Sequence, residues 1–189
     1  FVGYCLRYHP KIIESLKFFR VKKKIISEVN IRYLTNMMNW RKDIKFKDSA
    51  GYKEYFNGGG AANELSHEID LLFNYLKGFK GEIKGIETNW NNLLNHDISY
   101  NFKIKFKEIK YSVFVDTFNN LNLRDIVIRS NKKDHIFNLL LDEDINKMYY
   151  SMISNILQKA IDLSVDLKLP NINKIEKITK VIENIHNIK

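Results

Sequence analysis

One segment of the 189-residue chain gathers residue types that could do chemistry: NGGGAANELSHEIDLL, residues 57–72. Its three consecutive glycines, Gly58 to Gly60, let a backbone turn sharply and approach a ligand closely. The apolar spacing that follows predicts a helix over 61–76, whose start offers unpaired N–H groups. On a continuous helix His67 would stand one turn after Glu64 and share its face. An imidazole oriented by a carboxylate is a common general acid/base arrangement near neutral pH. Asp70, three residues further on, falls on the same side.

Plainer readings compete with this one. A lone helical histidine is often a hydrogen-bonded structural residue, and glycine triplets often only punctuate a loop. His67 has acidic neighbours in Glu64, Glu68 and Asp70 but no second histidine at matching spacing, so no metal site is expected. The chain contains no G-x-G-x-x-G after a strand, no P-loop and no G-x-S-x-G elbow. Its single cysteine, Cys5, excludes a disulfide scaffold and any multi-cysteine zinc site.

The elements that must position this segment can be read from periodicity. Val2–Leu6 reads as a short buried strand ended by the Tyr8-His9-Pro10 turn. Pro10 suits the first turn of a helix carrying Ile12, Ile13, Leu16 and Phe19. Residues 25–34 alternate and are rich in β-branched side chains, which predicts a strand. Residues 35–57 are polar and irregular, and a loop of that length in a compact domain is usually functional or disordered. Gly78 marks the expected end of the helix that follows. Strands are then predicted at Glu82–Thr88, Tyr100–Lys107, Tyr111–Phe118, Arg124–Ser130 and His135–Leu141, in an antiparallel meander. Helices over Ile145–Asp166 and Ile172–Ile188 close the chain, with Pro170 between them. Strands that run together with helices flanking them favour an α+β fold: an open, mainly antiparallel sheet with helices on one face.

Composition sets outer bounds. Hydrophobic residues make up 44% and aromatics 13%, enough for a packed core and too much for a disordered chain. No apolar run approaches the roughly 20 residues needed to span a bilayer. The formal charge of +9 admits polyanion binding, yet the lysines are spread along a chain that also uses Asn and Ile heavily. Where they cluster, Lys103, Lys105 and Lys107 alternate with Phe102, Ile104 and Phe106, the pattern of a strand with one wet face. The chain begins with Phe rather than Met and opens on an apparent strand, so a piece of a longer protein is expected.

The opening VGYCLRYHP, the segment GGGAANELSHEIDLL and the closing helix pair resemble the C-terminal region of the glucose–fructose oxidoreductase/inositol dehydrogenase (Gfo/Idh/MocA) family. The resemblance covers nearly the whole chain, and the glycine turn leading to H-x-I-D is its most specific part. It implies that residues 1–189 are a C-terminal substrate-binding and oligomerisation domain, with 1–9 at the junction to an N-terminal Rossmann domain that this sequence lacks. It also implies NAD or NADP as cofactor, bound mainly by that missing domain, and a sugar or sugar derivative as substrate, as in surface-sugar biosynthesis.

Carried over by position, His67 matches the family's acid/base histidine, with Glu64 as its carboxylate partner. Many members have Asp four residues before that histidine, where this chain has Asn63, which can bond a sugar hydroxyl but supplies no charge. The resemblance further implies sugar contacts from Trp40, Arg41 and Tyr52, and places Arg7 near the cofactor. A cytoplasmic homo-oligomer formed through the open sheet face is expected, with the strands containing Phe114 and Val127 contributing apolar side chains to the interface and neither nucleic acid nor membrane as partner. The fragment alone would be inactive. Two other readings stand beside this one: a non-catalytic binding or assembly module of the same fold, and a basic nucleic-acid-binding domain.

Overall fold

A computed structural model describes residues 4–39, 53–54, 57–131, 133–161 and 172–188. The elements in chain order are α1 (Pro10–Lys22), β1 (Ile26–Asn36), α2 (Ala61–Glu64), α3 (Ser66–Tyr75), β2 (Glu87–Asn91), β3 (His96–Phe106), β4 (Ile109–Asp116), β5 (Phe118–Ser130), β6 (Lys133–Asn138), α4 (Asp142–Ile161) and α5 (Ile172–His186). The six strands form one sheet in the order β2-β3-β4-β1-β5-β6. Every neighbouring pair is antiparallel except β1 and β4. The α+β class and the open, mostly antiparallel sheet are therefore as the sequence predicts.

Alternation decides which face is covered. Val29 and Ile31 of β1, Tyr100 and Phe102 of β3, Val113 and Val115 of β4, and Ile126 and Ile128 of β5 lie in the core. Against them pack Ile12 and Phe19 of α1, Ile69 and Leu72 of α3, and Ile178, Val181 and Ile185 of α5. The opposite face is polar. Arg32 pairs with Asp125 at 2.6 Å, and Arg129 reaches both Glu28 at 2.5 Å and Asp134 at 2.8 Å. Lys103 and Lys105 are exposed there, as their alternation implies. In the strands expected to supply an interface, Phe114 is 37% exposed and Val127 only 7%; Ile136 of β6, at 64%, is more exposed than either.

Four expectations need correction. The strand expected over Val2–Leu6 is not formed at its described end: Cys5–Tyr8 is a 3-10 turn, closed by Arg7 N–H to Tyr4 O and His9 N–H to Leu6 O. Local i to i+3 bonds satisfy this backbone while Leu6 and Tyr8 stay buried, so apolar content was mistaken for a strand. The expected meander is interrupted, because β1 inserts between β4 and β5 and pairs with both. The expected turn at Asn119-Asn120 lies inside β5, and the chain instead bends at Thr117, whose N–H and hydroxyl both donate to the Ile98 carbonyl.

The helix expected over 61–76 is also broken, at Leu65 (φ −115°, ψ 31°). The Leu65 carbonyl accepts the fully buried Tyr100 hydroxyl at 2.8 Å, which draws it away from helical geometry. At the far end α1 begins as predicted, with Pro10 in its first turn and the His9 ring accepting from Lys11 N–H.

Candidate functional site

The glycine turn is built for close contact with the rest of the chain. A Cβ on Gly59 would overlap the Lys53 carbonyl, and one on Gly60, held at φ +98°, would overlap the Asp97 carboxylate. Asn63 donates to the Gly59 carbonyl at 2.8 Å and so ties the turn to the first helix. The start of α2 is itself filled. Ala62 N–H donates to Asp97 Oδ2 at 2.8 Å, and His186 Nε2 stands 3.2 Å from Asp97 Oδ1.

One residue into α3, His67 is half-buried, with its ring edge-on to the Tyr4 ring at a centroid distance of 5.2 Å. Tyr4 leads into the 3-10 turn that carries Arg7, so His67 stands beside that turn. Its Nδ1 is buried without a hydrogen-bond partner. Burial pushes the imidazole pKa below its usual value, outweighing the Glu68 carboxylate, which acts in the opposite sense. The ring is therefore neutral near pH 7 and can accept a proton.

Glu64 does not share this site in the way its spacing implies. The break at Leu65 takes it out of helical register with His67, and among the described residues no hydrogen bond or ion pair joins the two. Glu68 supplies the nearby negative charge instead. It is 1% exposed, and its Oε1 accepts from Arg124 Nε at 2.8 Å and Nη2 at 2.6 Å, while Arg124 stacks over the Tyr33 ring at 4.3 Å. A signal for this pair lay in the sequence. Arg124 alternates with Ile126 and Ile128, which places a charge on the apolar face of β5 and demands a partner.

Arg7 binds both carboxylate oxygens of Asp70 through Nε and Nη2, and its side chain is only 10% exposed. Asp70 is thus the anchor between the 3-10 turn and α3, a structural partner. Trp40, Arg41 and Tyr52 lie outside the described residues. No group of three or more His, Cys, Asp or Glu among the described residues could hold a metal ion. No described helix is long and apolar enough to cross a membrane.

No protein-family profile matches the chain. A curated protein aligned with it is the DNA-directed RNA polymerase subunit beta' of Euglena longa, 30% identical over 177 residues. The alignment takes in 87% of this chain and 29% of that protein, so the chain spans under a third of the relative. Lys, Ile and Asn account for 25, 25 and 22 of the 189 residues, and identity with another chain rich in these three can accrue without a shared structure.

Solved structures give a fuller overlap. A dehydrogenase of Clostridium difficile superposes on 98% of this chain and 61% of its own, with TM-score 0.63 and 18% identity. Levoglucosan dehydrogenase, solved with NADH and levoglucosan, covers 98% of this chain with 62% of its own, at TM-score 0.68 and 11% identity. The myo-inositol 2-dehydrogenase of Lactobacillus plantarum gives TM-score 0.69 at 9% identity, over 98% of this chain and 61% of its own. The fold is that of the Gfo/Idh/MocA-type dehydrogenases. Close to two-fifths of each of these dehydrogenases has no counterpart in this chain.

Proposed function

We propose that this chain is the substrate-binding part of an NAD(P)-dependent oxidoreductase acting on a sugar or sugar derivative, with His67 as its acid/base. The observation that carries the reading is the neutral, half-buried imidazole set at the start of α3, just after the glycine turn and edge-on to Tyr4. In alcohol oxidation the C–H electron pair leaves as hydride, the C=O bond forms, and the hydroxyl proton passes to His67. In reduction the imidazolium returns that proton to the carbonyl oxygen. A base doing this must come within about 2.6–3.2 Å of the hydroxyl, directly or through one water. Glu68, paired to Arg124, lies close enough to stabilise the imidazolium as it forms. Arg7 and Asp70 fix α3 against the 3-10 turn and so hold His67 in place.

The described residues do not themselves fit a dinucleotide. The glycine turn opens a helix of four residues whose start is capped by the Asp97 carboxylate, which repels a diphosphate. Arg7, expected near the cofactor, is committed to Asp70. The nucleotide site is therefore assigned to a separate Rossmann-type domain, and no step is routed through it here. Within the same reading Asn63, Trp40, Arg41 and Tyr52 contact the sugar, and Phe114 and Ile136 on the open sheet face contribute to a homo-oligomer.

The charge of +9 and the alignment with an RNA polymerase subunit favour a second reading, a nucleic-acid-binding domain. The open sheet face argues against it. Its arginines, Arg32 and Arg129, are paired with Glu28, Asp125 and Asp134, so the β1-β5-β6 part of the face offers no single-sign stripe along which a phosphate backbone could lie. The experiment for the first reading is His67→Asn in the intact protein, with turnover and dinucleotide affinity measured separately. Turnover should fall by roughly 10²–10⁴ with dinucleotide affinity unchanged. Near-normal turnover would leave His67 a structural residue.

A further inference from the structure

Away from His67, a second feature of the fold carries an unexpected concentration of charge. Where α3 ends and Gly78 turns the chain, the start of α5 and the end of α1 close around a groove of about 430 Å³. Its ionisable lining among the described residues is Arg20 from α1, Lys77 after α3, and Lys174 and Lys177 from α5, with no acid among these. A smaller hollow of about 310 Å³ adjoins it, sharing Arg20 and Asn74 and adding Arg7. We propose that this groove is a binding site for a small phosphate-bearing anion.

The lysines at its wall are held in place rather than free to swing into solvent. Lys174 donates to Asn74 Oδ1 at 2.7 Å and Lys177 to the Phe79 carbonyl at 2.6 Å. An ammonium group carries three donors, so the bond to Phe79 leaves Lys177 capacity for an anion. Asp70, a described carboxylate 3.7 Å from Lys174, is also bound by Arg7 through both oxygens, so its one charge is shared between two cations. Lys174 is only 19% exposed, and burial pulls its pKa down to about 8. It also sits in the first turn of α5, which contains no acidic residue, where the helix dipole opposes positive charge. Burial, the charge of Arg7 and the helix dipole all act against the Lys174 ammonium, and an anion in the groove would offset them. Arg20 offers a planar fork and the lysines offer point charges, a combination suited to phosphate oxygens. The volume lies at the lower end of ordinary small-ligand pockets, which favours a small organic phosphate over a polymer.

The proposal is independent of the assignment of His67. It can be tested on the 189-residue chain with inorganic pyrophosphate at pH 7 and physiological salt, by calorimetry and by amide shifts in NMR. Saturable 1:1 binding with shifts at Asn74, Lys77 and Lys174 is expected. Arg20→Gln and Lys77→Gln, both at exposed positions, should each weaken it about five-fold to ten-fold. The double change Lys103→Gln/Lys105→Gln, which removes charge from the open sheet face, should leave it within about two-fold. Absence of saturation up to about 5 mM would overturn the proposal. So would equal weakening by the sheet-face variant, which would mean attraction to net charge alone, or tighter binding of a single-stranded oligonucleotide to the same residues.

Discussion

The buried Glu68–Arg124 pair next to His67 allows a quantitative prediction. Arg124→Met keeps most of the side-chain volume but leaves the Glu68 carboxylate, 1% exposed, without its two hydrogen bonds. Breaking a buried pair in this way costs about 3–5 kcal/mol. Loss of the stacking on Tyr33 adds up to about 2 kcal/mol to the upper bound. At roughly 2–4 °C per kcal/mol for a chain of this size, Tm should fall by about 6–28 °C. Glu68→Gln should cost less, about 1.5–3 kcal/mol, because Arg124 keeps Tyr33 and is 17% exposed.

The double variant Glu68→Met/Arg124→Met should return to within about 1 kcal/mol of the parent, since apolar side chains often replace a buried ion pair without loss. Glu68 Oε2 already lacks a partner, which lowers the worth of the intact pair. Urea unfolding with linear extrapolation of the parent, Glu68→Met, Arg124→Met and the double variant gives the coupling energy, expected at about 2 kcal/mol or more. The same variants move His67, whose ring proton can be titrated by NMR. Removing Arg124 should raise the imidazole pKa, and removing Glu68 should lower it further. A loss below about 1 kcal/mol in Arg124→Met, or a double variant no better than the worse single one, would refute the argument.

Lys174 titrates near pH 8 in the folded chain against a usual 10.5, so between these values the unfolded state binds the extra proton and stability rises with pH. The rise is at most about 3 kcal/mol, and comparing parent with Lys174→Met from pH 7.5 to 9.5 should show it vanish in the variant. For His67 the folded pKa is also lowered, so its contribution to stability is lost as pH falls through about 6.5; His67→Asn should flatten that part of the unfolding curve. Gly60→Ala meets both a left-handed φ of +98° and the Asp97 carboxylate and should lose about 2 kcal/mol or more in urea, whereas a loss under about 0.5 kcal/mol would show that the turn relaxes freely. Light scattering at tens of micromolar should reveal an oligomer that Ile136→Lys dissociates, and a clean parent monomer would remove the open sheet face as an interface.

Local rules in the sequence determined much of this protein. Period-two alternation placed four of the six strands to within about four residues, including the wet face that carries Lys103 and Lys105. Pro10 set the start of α1, and Gly78 follows the end of α3. Both effects are steric and act within one turn of backbone, which is why they need no knowledge of the rest of the chain.

The order of strands was not available in this way, because a crossover connection satisfies the same local pattern as a hairpin. Only the packed sheet puts β1 between β4 and β5. The candidate site divides along the same line. The glycine turn and His67 are visible as residue types and spacing, but the partner of His67 is not. Spacing favours Glu64 on the assumption of an unbroken helix, and a hydroxyl from β3, that of Tyr100, breaks that helix at Leu65. The charge that reaches His67 belongs instead to Glu68, held by an arginine 56 residues away on β5. Burial lowers the imidazole pKa, and burial is a property of the assembled core, which no window of the sequence contains.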